Sequence, residues 1–353
     1  MAKPPIALLN RAFEESIHAE LIPRFAAADL RASDASFLAG VGDEGAALVA
    51  ASSVRGLLVH GHTHVDAALL ARFPALRVVS NHGVGIDHIN VAACTAARVR
   101  VFNTPDAVTG ATADVAFALL LAAARRVVEG DALARAPGTA HFSSTWFGAE
   151  VHGATIGIVG MGRIGSAVAR RARGFDMRVL YHNRRRVAPE AEAALDGGGG
   201  ACSYCATLAE LLPQCDYLVL TAPATAETRH LIGAPQLALM RRSAFLVNVA
   251  RGSLVDQAAL AAALEGGVIA GAALDVTEPE PLPRDHALLR CRNLTLTPHV
   301  GTATRKTRVE MCRLALANLV AGLGLPPREG EPRAVAAVNE EALSAAAGGA
   351  GLP

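Results

Sequence analysis

The sequence predicts an α/β protein of two domains built on parallel sheets, and three observations carry that prediction. Short apolar runs alternate with helical stretches along most of the chain, the pattern of parallel strands covered by helices on both faces. A glycine turn, Gly160-Met161-Gly162-Arg163-Ile164-Gly165, directly follows one such run and opens a helix. At 353 residues the chain is long enough for two buried cores.

In chain order, Ile6–Asn10, Gly56–Val59, Arg77–Ser80 and Val99–Asn103 read as strands of a first sheet. Thr112 to Glu129 reads as one long helix rich in Ala and Leu. Asp114 falls in its first turn, at the positive end of the helix dipole, and Gly130 follows its end. From Thr155 the beat is regular: strand Thr155–Val159, the glycine turn, helix Ser166–Gly174 and strand Arg178–His182 make one βαβ unit. Tyr217–Thr221, Phe245–Val249, Gly271–Val276 and Leu294–Thr297 continue the strands of this nucleotide domain. A helix from about Thr304 to Gly322 follows; alone it cannot bury its apolar face, so it is expected to return to the first domain and complete it. The tail from Pro326 to Pro353 is low in complexity and expected to be disordered, apart from a local anchor near Val335–Asn339. No internal repeat is present.

Composition narrows the function classes. A net charge of +1 with 18% charged residues gives no reason to expect nucleic acid or an anionic membrane as partner. Hydrophobic residues reach 52% but aromatics only 4%, so Ala, Val and Leu must fill the interior. MAKPPIALLN shows no signal or transit peptide, and the apolar run Val115–Ala124 is too short to span a bilayer. Cys94, Cys202, Cys205, Cys215, Cys291 and Cys312 form no disulfide framework, so a reduced cytoplasmic compartment is expected.

The glycine turn suits a dinucleotide. Gly160 and Gly162 allow a tight turn and close approach of a pyrophosphate, and Gly165 lets the helix pack near the strand with its N-terminus facing the anion. NAD sites place an acid about 20 residues further on, to hold the ribose 2′-hydroxyl. Here that strand ends His182-Asn183-Arg184-Arg185-Arg186, with no carboxylate. Arginine pairs with the 2′-phosphate of NADP, so NADPH is favoured over NADH, which stays open; the bland alternative is a solvated basic loop.

Three later strands end in reactive residues. Val247-Asn248-Val249-Ala250-Arg251-Gly252 places an arginine beyond a strand's carboxyl end, where open α/β sheets bind ligands. Asp275-Val276-Thr277-Glu278-Pro279-Glu280-Pro281 adds carboxylates, and Thr297-Pro298-His299-Val300-Gly301 a histidine. Singly, each reads as a surface or ion-pair residue. Together they suit hydride addition to a keto carbon. Negative charge develops on the oxygen, and histidine, with an unperturbed pKa of about 6.5, can protonate it. A carboxylate on its second nitrogen favours the imidazolium, and an arginine fork binds the substrate carboxylate.

From about Val54 to Pro327 the chain resembles the D-isomer-specific 2-hydroxyacid dehydrogenase family, and within it the glyoxylate/hydroxypyruvate reductase branch. The stretches that carry this are NHGVGIDHIN, FNTPDAVTGATADVAFALLL, GIVGMGRIG, NVARGSLVDQ, LDVTEPEPLPRDH and LTPHVGTAT. The resemblance implies that Arg251 binds the substrate carboxylate, Glu280 orients His299, and His299 exchanges the proton. Glu280 is preferred to Glu278 because the family's acid immediately precedes the proline that closes this motif. Val84 and Gly85 would offer backbone N–H groups to the carboxylate, and Asp275 would contact the nicotinamide carboxamide. Thr112, Gly160, Gly162, Arg163, Ile164, Gly165, Asn183, Arg184, Arg185, Pro223, Thr228, Val249 and Gly301 would complete the cofactor site.

The implied fold has two Rossmann-like domains with the active site in the interdomain cleft. Residues 1–104 with 301–327 form a discontinuous, flavodoxin-like substrate domain, 105–300 the NADP-binding domain, and 328–353 the tail. The implied activity is NADPH-dependent reduction of small anionic 2-keto acids, glyoxylate and hydroxypyruvate, by a cytoplasmic homodimer. Two alternatives stand beside it: a 2-ketogluconate reductase of the same family, and a corepressor-like scaffold that senses the dinucleotide.

Several features pull elsewhere. Formate dehydrogenases carry glutamine where Glu280 stands; phosphite as substrate is left open. The segment Thr221–Thr228 has Ala224 where relatives carry leucine, implying a small packing change. His60-Gly61-His62-Thr63-His64 resembles a metal motif, but hydride transfer needs no metal and none is expected. Cys202-Ser203-Tyr204-Cys205 has no second pair and reads as a surface coincidence. Trp146, the sole tryptophan, lies in HFSSTWFG and reads either as a buried anchor or, by the resemblance, as an element that crosses to a partner subunit.

Overall fold

The structure, a computed structural model, describes residues 5–9, 29–33, 54–61, 63–139, 146–196, 202–327 and 330–348. The expectations for Asn10, His62, most of HFSSTWFG and the last five residues lie outside them. The chain divides into two compact units, one of Met1–Val108 with Thr304–Pro353, the other of Thr109–Ala303.

The first unit holds β1 (Pro5–Leu9), β2 (Asp29–Ser33), β3 (Gly56–Val59), β4 (Val78–Asn81) and β5 (Arg100–Phe102), all parallel, in the order β2-β1-β3-β4-β5. This is the flavodoxin order. Every residue of β3 and β4 is buried, which is why both read as unbroken apolar runs. The helix Arg305–Gly322 packs on this sheet. Ser80 Oγ donates to the Ala315 carbonyl at 2.7 Å, and a Cβ at Gly322 would lie 2.8 Å from both Phe102 and Val78. Close approach of helix to sheet therefore requires glycine at that position.

The local anchor expected near Val335–Asn339 is present, and order extends past it into residues expected to be disordered. Asn339 Oδ1 accepts from Val101 N at 3.0 Å, and its Nδ2 donates to Thr95 Oγ1 and Val99 O. Val338 N donates to Val101 O, Val335 N donates to Asn318 Oδ1, and a helix, Glu340–Gly348, follows. Low complexity concealed only the helix that follows the anchor.

The second unit holds β6 (Thr155–Val159), β7 (Arg178–His182), β8 (Cys202–Tyr204), β9 (Tyr217–Leu220), β10 (Phe245–Asn248), β11 (Gly271–Leu274) and β12 (Leu294–Leu296). They form one parallel sheet, β12-β11-β10-β9-β6-β7-β8, whose winding reverses between β6 and β9. That reversal marks the Rossmann switch point, where ligands bind. Side chains alternate between two cores: Leu218, Leu246 and Ala272 enter one, and Val219, Val247 and Ala273 the other.

Two expectations are corrected in this unit. The long helix is two, Thr109–Ala124 and Val127–Arg135, because Arg126 adopts a left-handed backbone with φ of 54°. Its guanidinium pairs with Glu129 and lies 3.8 Å from the centre of the Trp146 ring. Asp114 consequently sits beyond the first turn and pairs with Arg171, while Gly130 lies within the second helix. The CSYC segment is also not on the surface: it forms the edge strand β8, and Cys202 and Cys205 are both buried.

All six cysteines are free. Burial pushes the Cys94 thiol up to about 11, and the Cys215 and Cys312 thiols up to about 12. Among the described residues no helix is long and apolar enough to cross a membrane, and no group of three His, Cys, Asp or Glu is placed to hold a metal ion.

Candidate active site

The glycine turn lies at the switch point, and each of its glycines meets a different constraint. Gly160 has φ of 102°, and a Cβ there would stand 2.5 Å from Ala222 N. A Cβ on Gly165 would stand 2.3 Å from the Gly160 carbonyl, so glycine brings the helix Arg163–Arg173 against the turn. A Cβ on Gly162 would meet nothing within 4 Å. It would project into the open space before the helix N-terminus, where backbone N–H groups and the helix dipole favour an anion. These features fit a dinucleotide pyrophosphate.

The end of β7 separates its polar residues. Asn183 Oδ1 accepts from Met161 N at 2.7 Å, so this side chain ties the strand end to the glycine turn. Arg186 forms a two-point ion pair with the buried Glu192, at 2.7 and 3.0 Å. Arg184 and Arg185 are both exposed. In the turn after β9, Thr228 Oγ1 donates to Pro223 O and accepts from Thr225 N. Thr112 lies near Gly301, where an added Cβ would stand 3.5 Å from the threonine methyl.

Three loops of the second unit bring the reaction set together. Arg251 follows β10, where the buried Asn248 accepts from Ala250 N and donates to Arg251 O. The next residue, Gly252, packs so closely on Thr277 that a Cβ would fall 2.0 Å from its carbonyl carbon. Only glycine lets the arginine loop and the carboxylate loop meet there. Gln257 pins the same loop by donating to Glu278 O and accepting from Glu278 N. The side chain of Glu278 turns to Arg229 at 2.8 Å, whereas Glu280 reaches the histidine. Glu280 Oε1 accepts from Thr277 N at 3.0 Å, and Oε2 lies 2.8 Å from His299 Nδ1.

His299 sits on a strained turn, with φ of 54°. Asp275, 2% exposed, holds that turn: its carbonyl accepts from His299 N, Oδ1 from Thr297 Oγ1 and Val300 N, and Oδ2 from Gly301 N. Partial burial raises the Glu280 pKa, but the His299 hydrogen bond and charge, the Thr277 N–H and the Arg251 charge outweigh it and hold the carboxyl below its usual range. Glu280 is thus a carboxylate at neutral pH. An oriented imidazole backed by a carboxylate, near a guanidinium, can donate a proton to a developing oxyanion.

Val84 and Gly85 lie in the first unit, in the turn after β4. The amides of Asn81 and Asn103 hold the carbonyls of this turn. Sequence reading did not single out Asn81, Asn103, Gln257 or Arg229. The only signal for Asn81 is its place at the head of the NHGVG run.

Residues 117–301 match the model of the D-isomer specific 2-hydroxyacid dehydrogenase NAD binding domain. A glyoxylate reductase of Thermococcus gammatolerans is 46% identical over 262 residues, which cover 73% of this chain and 76% of that protein. Glyoxylate/hydroxypyruvate reductase B of Salmonella paratyphi C is 46% identical over 274 residues, covering 77% of this chain and 82% of that one. Among solved structures, an NADPH-dependent glyoxylate/hydroxypyruvate reductase of Sinorhizobium meliloti, in complex with NADP and malonate, superposes with a TM-score of 0.77 at 31% identity. It covers 94% of this chain and all of that one.

Proposed function

Because the chain belongs to the D-isomer-specific 2-hydroxyacid dehydrogenase family, we propose that it reduces glyoxylate and hydroxypyruvate to D-2-hydroxy acids with NADPH. The observation that carries this reading is the 2.8 Å pair between His299 Nδ1 and Glu280 Oε2, on loops adjoining Arg251. When bound, the dinucleotide supplies the hydride. Arg251 fixes the substrate carboxylate through its fork and draws electron density toward the reacting oxygen. His299 presents Nε2 to that oxygen and delivers its proton there as negative charge develops, while Glu280 stabilises the charged ring and fixes its orientation. The reverse reaction uses the same groups in the opposite protonation states.

The remaining assignments rest on narrower support. Gly160, Gly162, Arg163, Ile164 and Gly165 would receive the pyrophosphate, and Asp275, Thr112, Pro223, Thr228, Val249 and Gly301 would line the rest of the cofactor site. NADP over NAD is favoured by Asn183 standing where an acid would bind the ribose, and by the exposed Arg184 and Arg185 beside an Arg186 already paired. A homodimer is favoured by the helix Val127–Arg135, which has no buried residue and, with Phe147, exposes Val127, Val128 and Leu133. Six free cysteines suit a reducing cytoplasm.

The test is NADPH oxidation by purified protein with glyoxylate, hydroxypyruvate and 2-ketogluconate. Turnover of the first two exceeding the third supports the reading. Preference for 2-ketogluconate replaces it with the longer-chain activity, and no turnover with any removes it. His299→Ala should abolish turnover and leave NADPH affinity within about threefold, because the ring acts on the substrate oxygen.

A further inference from the structure

Three consecutive carbonyls in the turn after β4 are held by two side-chain amides. Asn81 Nδ2 donates to the Gly83 oxygen at 3.0 Å and to the Gly85 oxygen at 2.8 Å, and Asn103 Nδ2 donates to the Val84 oxygen at 2.9 Å. A trans peptide is planar, with its C=O and the following N–H pointing in opposite directions. The cis bonds of this chain lie elsewhere, before Pro279 and Pro281. Anchoring the Gly83 and Val84 carbonyls therefore turns the N–H groups of Val84 and Gly85 away from the two amides. Anchoring Gly85 does the same for the N–H of Ile86. Among the described residues no backbone carbonyl accepts from any of these three N–H groups.

Successive backbone donors left without a backbone acceptor can receive an anion. These three stand beyond the carboxyl end of β4, the side on which parallel sheets bind ligands. The amides that shape the turn are themselves fixed. Asn81 is 1% exposed with Oδ1 3.1 Å from His88 Nε2, and the Asn103 carbonyl accepts from Asn318 Nδ2 at 2.9 Å. The last residue of β4 and the residue just after β5 thus each contribute an amide to one turn.

We infer that Asn81 and Asn103 are positioning residues which turn the Val84 and Gly85 N–H groups toward the carboxylate of the substrate. This rests on the proposed reduction of a 2-keto acid, yet recognition of the carboxylate can be measured apart from turnover. The variants are Asn103→Ala and Asn81→Asp; the latter keeps the shape and the acceptor for His88 but removes both donated hydrogen bonds. Binding of oxamate, a carboxylate that cannot be reduced, is measured with NADPH saturating. KM and kcat are measured with glyoxylate and with methylglyoxal, which lacks the carboxylate.

Each variant should weaken oxamate and raise the glyoxylate KM by roughly tenfold, as loss of about one hydrogen bond predicts. NADPH affinity, kcat and the methylglyoxal KM should stay within about twofold. Because Asn81 is buried and its variant can fail to fold, the half-buried Asn103 decides. Unchanged oxamate affinity in Asn103→Ala, or equal losses with glyoxylate and methylglyoxal, overturns the inference. A wild type that binds oxamate and loses it in Asn103→Ala, yet reduces neither keto acid, keeps the inference and removes the proposed activity.

Discussion

Glu280 divides its carboxylate between two tasks: one oxygen takes the N–H of Thr277, three residues back, and the other faces His299 Nδ1 at 2.8 Å. The first contact fixes where the second one points. Glu280→Gln keeps the size and one acceptor but removes the charge. It should lower kcat/KM with glyoxylate by at least about tenfold, because a hydrogen-bonded carboxylate both orients the ring and stabilises its charged form. NADPH affinity should not change. Because the Glu280 carboxyl titrates below its ordinary value of 4.5, the wild-type pair stays intact at pH 5, and the variant's deficit should be present there as well as at pH 7. A variant with full activity at both pH values removes Glu280 from the mechanism.

Asp275 receives two backbone N–H groups and one hydroxyl from the turn that bears His299. In Asp275→Asn an NH2 group must face at least one of those donors in a buried site. The expected cost is about 1–3 kcal/mol in urea denaturation, with a fall in kcat as the histidine turn relaxes. Unchanged stability would mean that the turn holds itself.

The basic run after β7 should separate under mutation. Arg184→Ala with Arg185→Ala is expected to weaken NADPH by roughly tenfold or more and NADH by under about threefold, measured by fluorescence titration. Arg186→Ala should instead act on stability, because Arg186 is paired with Glu192. Equal losses for both cofactors in the double variant would make those arginines ordinary surface charge.

His82 carries a pH dependence of folding. Burial first, then the neighbouring His60 charge, lower its pKa from 6.5 to about 3; a backbone hydrogen bond at Arg308 opposes them and the Arg308 charge adds a last, smaller push downward. The folded chain therefore keeps this ring neutral while the unfolded chain protonates it. Its stabilising contribution is complete above pH 6.5 and is lost as the pH falls towards 3, by up to about 1.4 kcal/mol per pH unit. Urea midpoints of wild type and His82→Asn, compared from pH 7 to pH 4, should converge on acidification. Parallel curves would show that His82 does not titrate on unfolding.

How much of this was legible in the sequence depends on the kind of interaction. Strands such as β3, β6 and β7 stand where their apolar runs ended, because strands buried on both faces must be apolar throughout. The edge strand β8 is only three residues, Cys-Ser-Tyr, and carries no such run. The break at Arg126 depends on a left-handed arginine held by Glu129 and Trp146, and no local residue pattern announces it. In the site, Arg251 and His299 could be picked out because the chemistry demands those residue types, whereas choosing Glu280 over Glu278 needed the family resemblance. Asn81, Asn103 and Gln257 act on backbone carbonyls and N–H groups, which every residue offers, so their partners become defined only when the chain is folded.

The docking of Val338 and Asn339 on Val101 shields one rim of the five-stranded sheet. Unprotected rims of this kind invite pairing with strands of other molecules. The C-terminal extension thus occupies the outward N–H and C=O of Val101, and a chain shortened before Val335 would leave that part of the β5 edge unpaired.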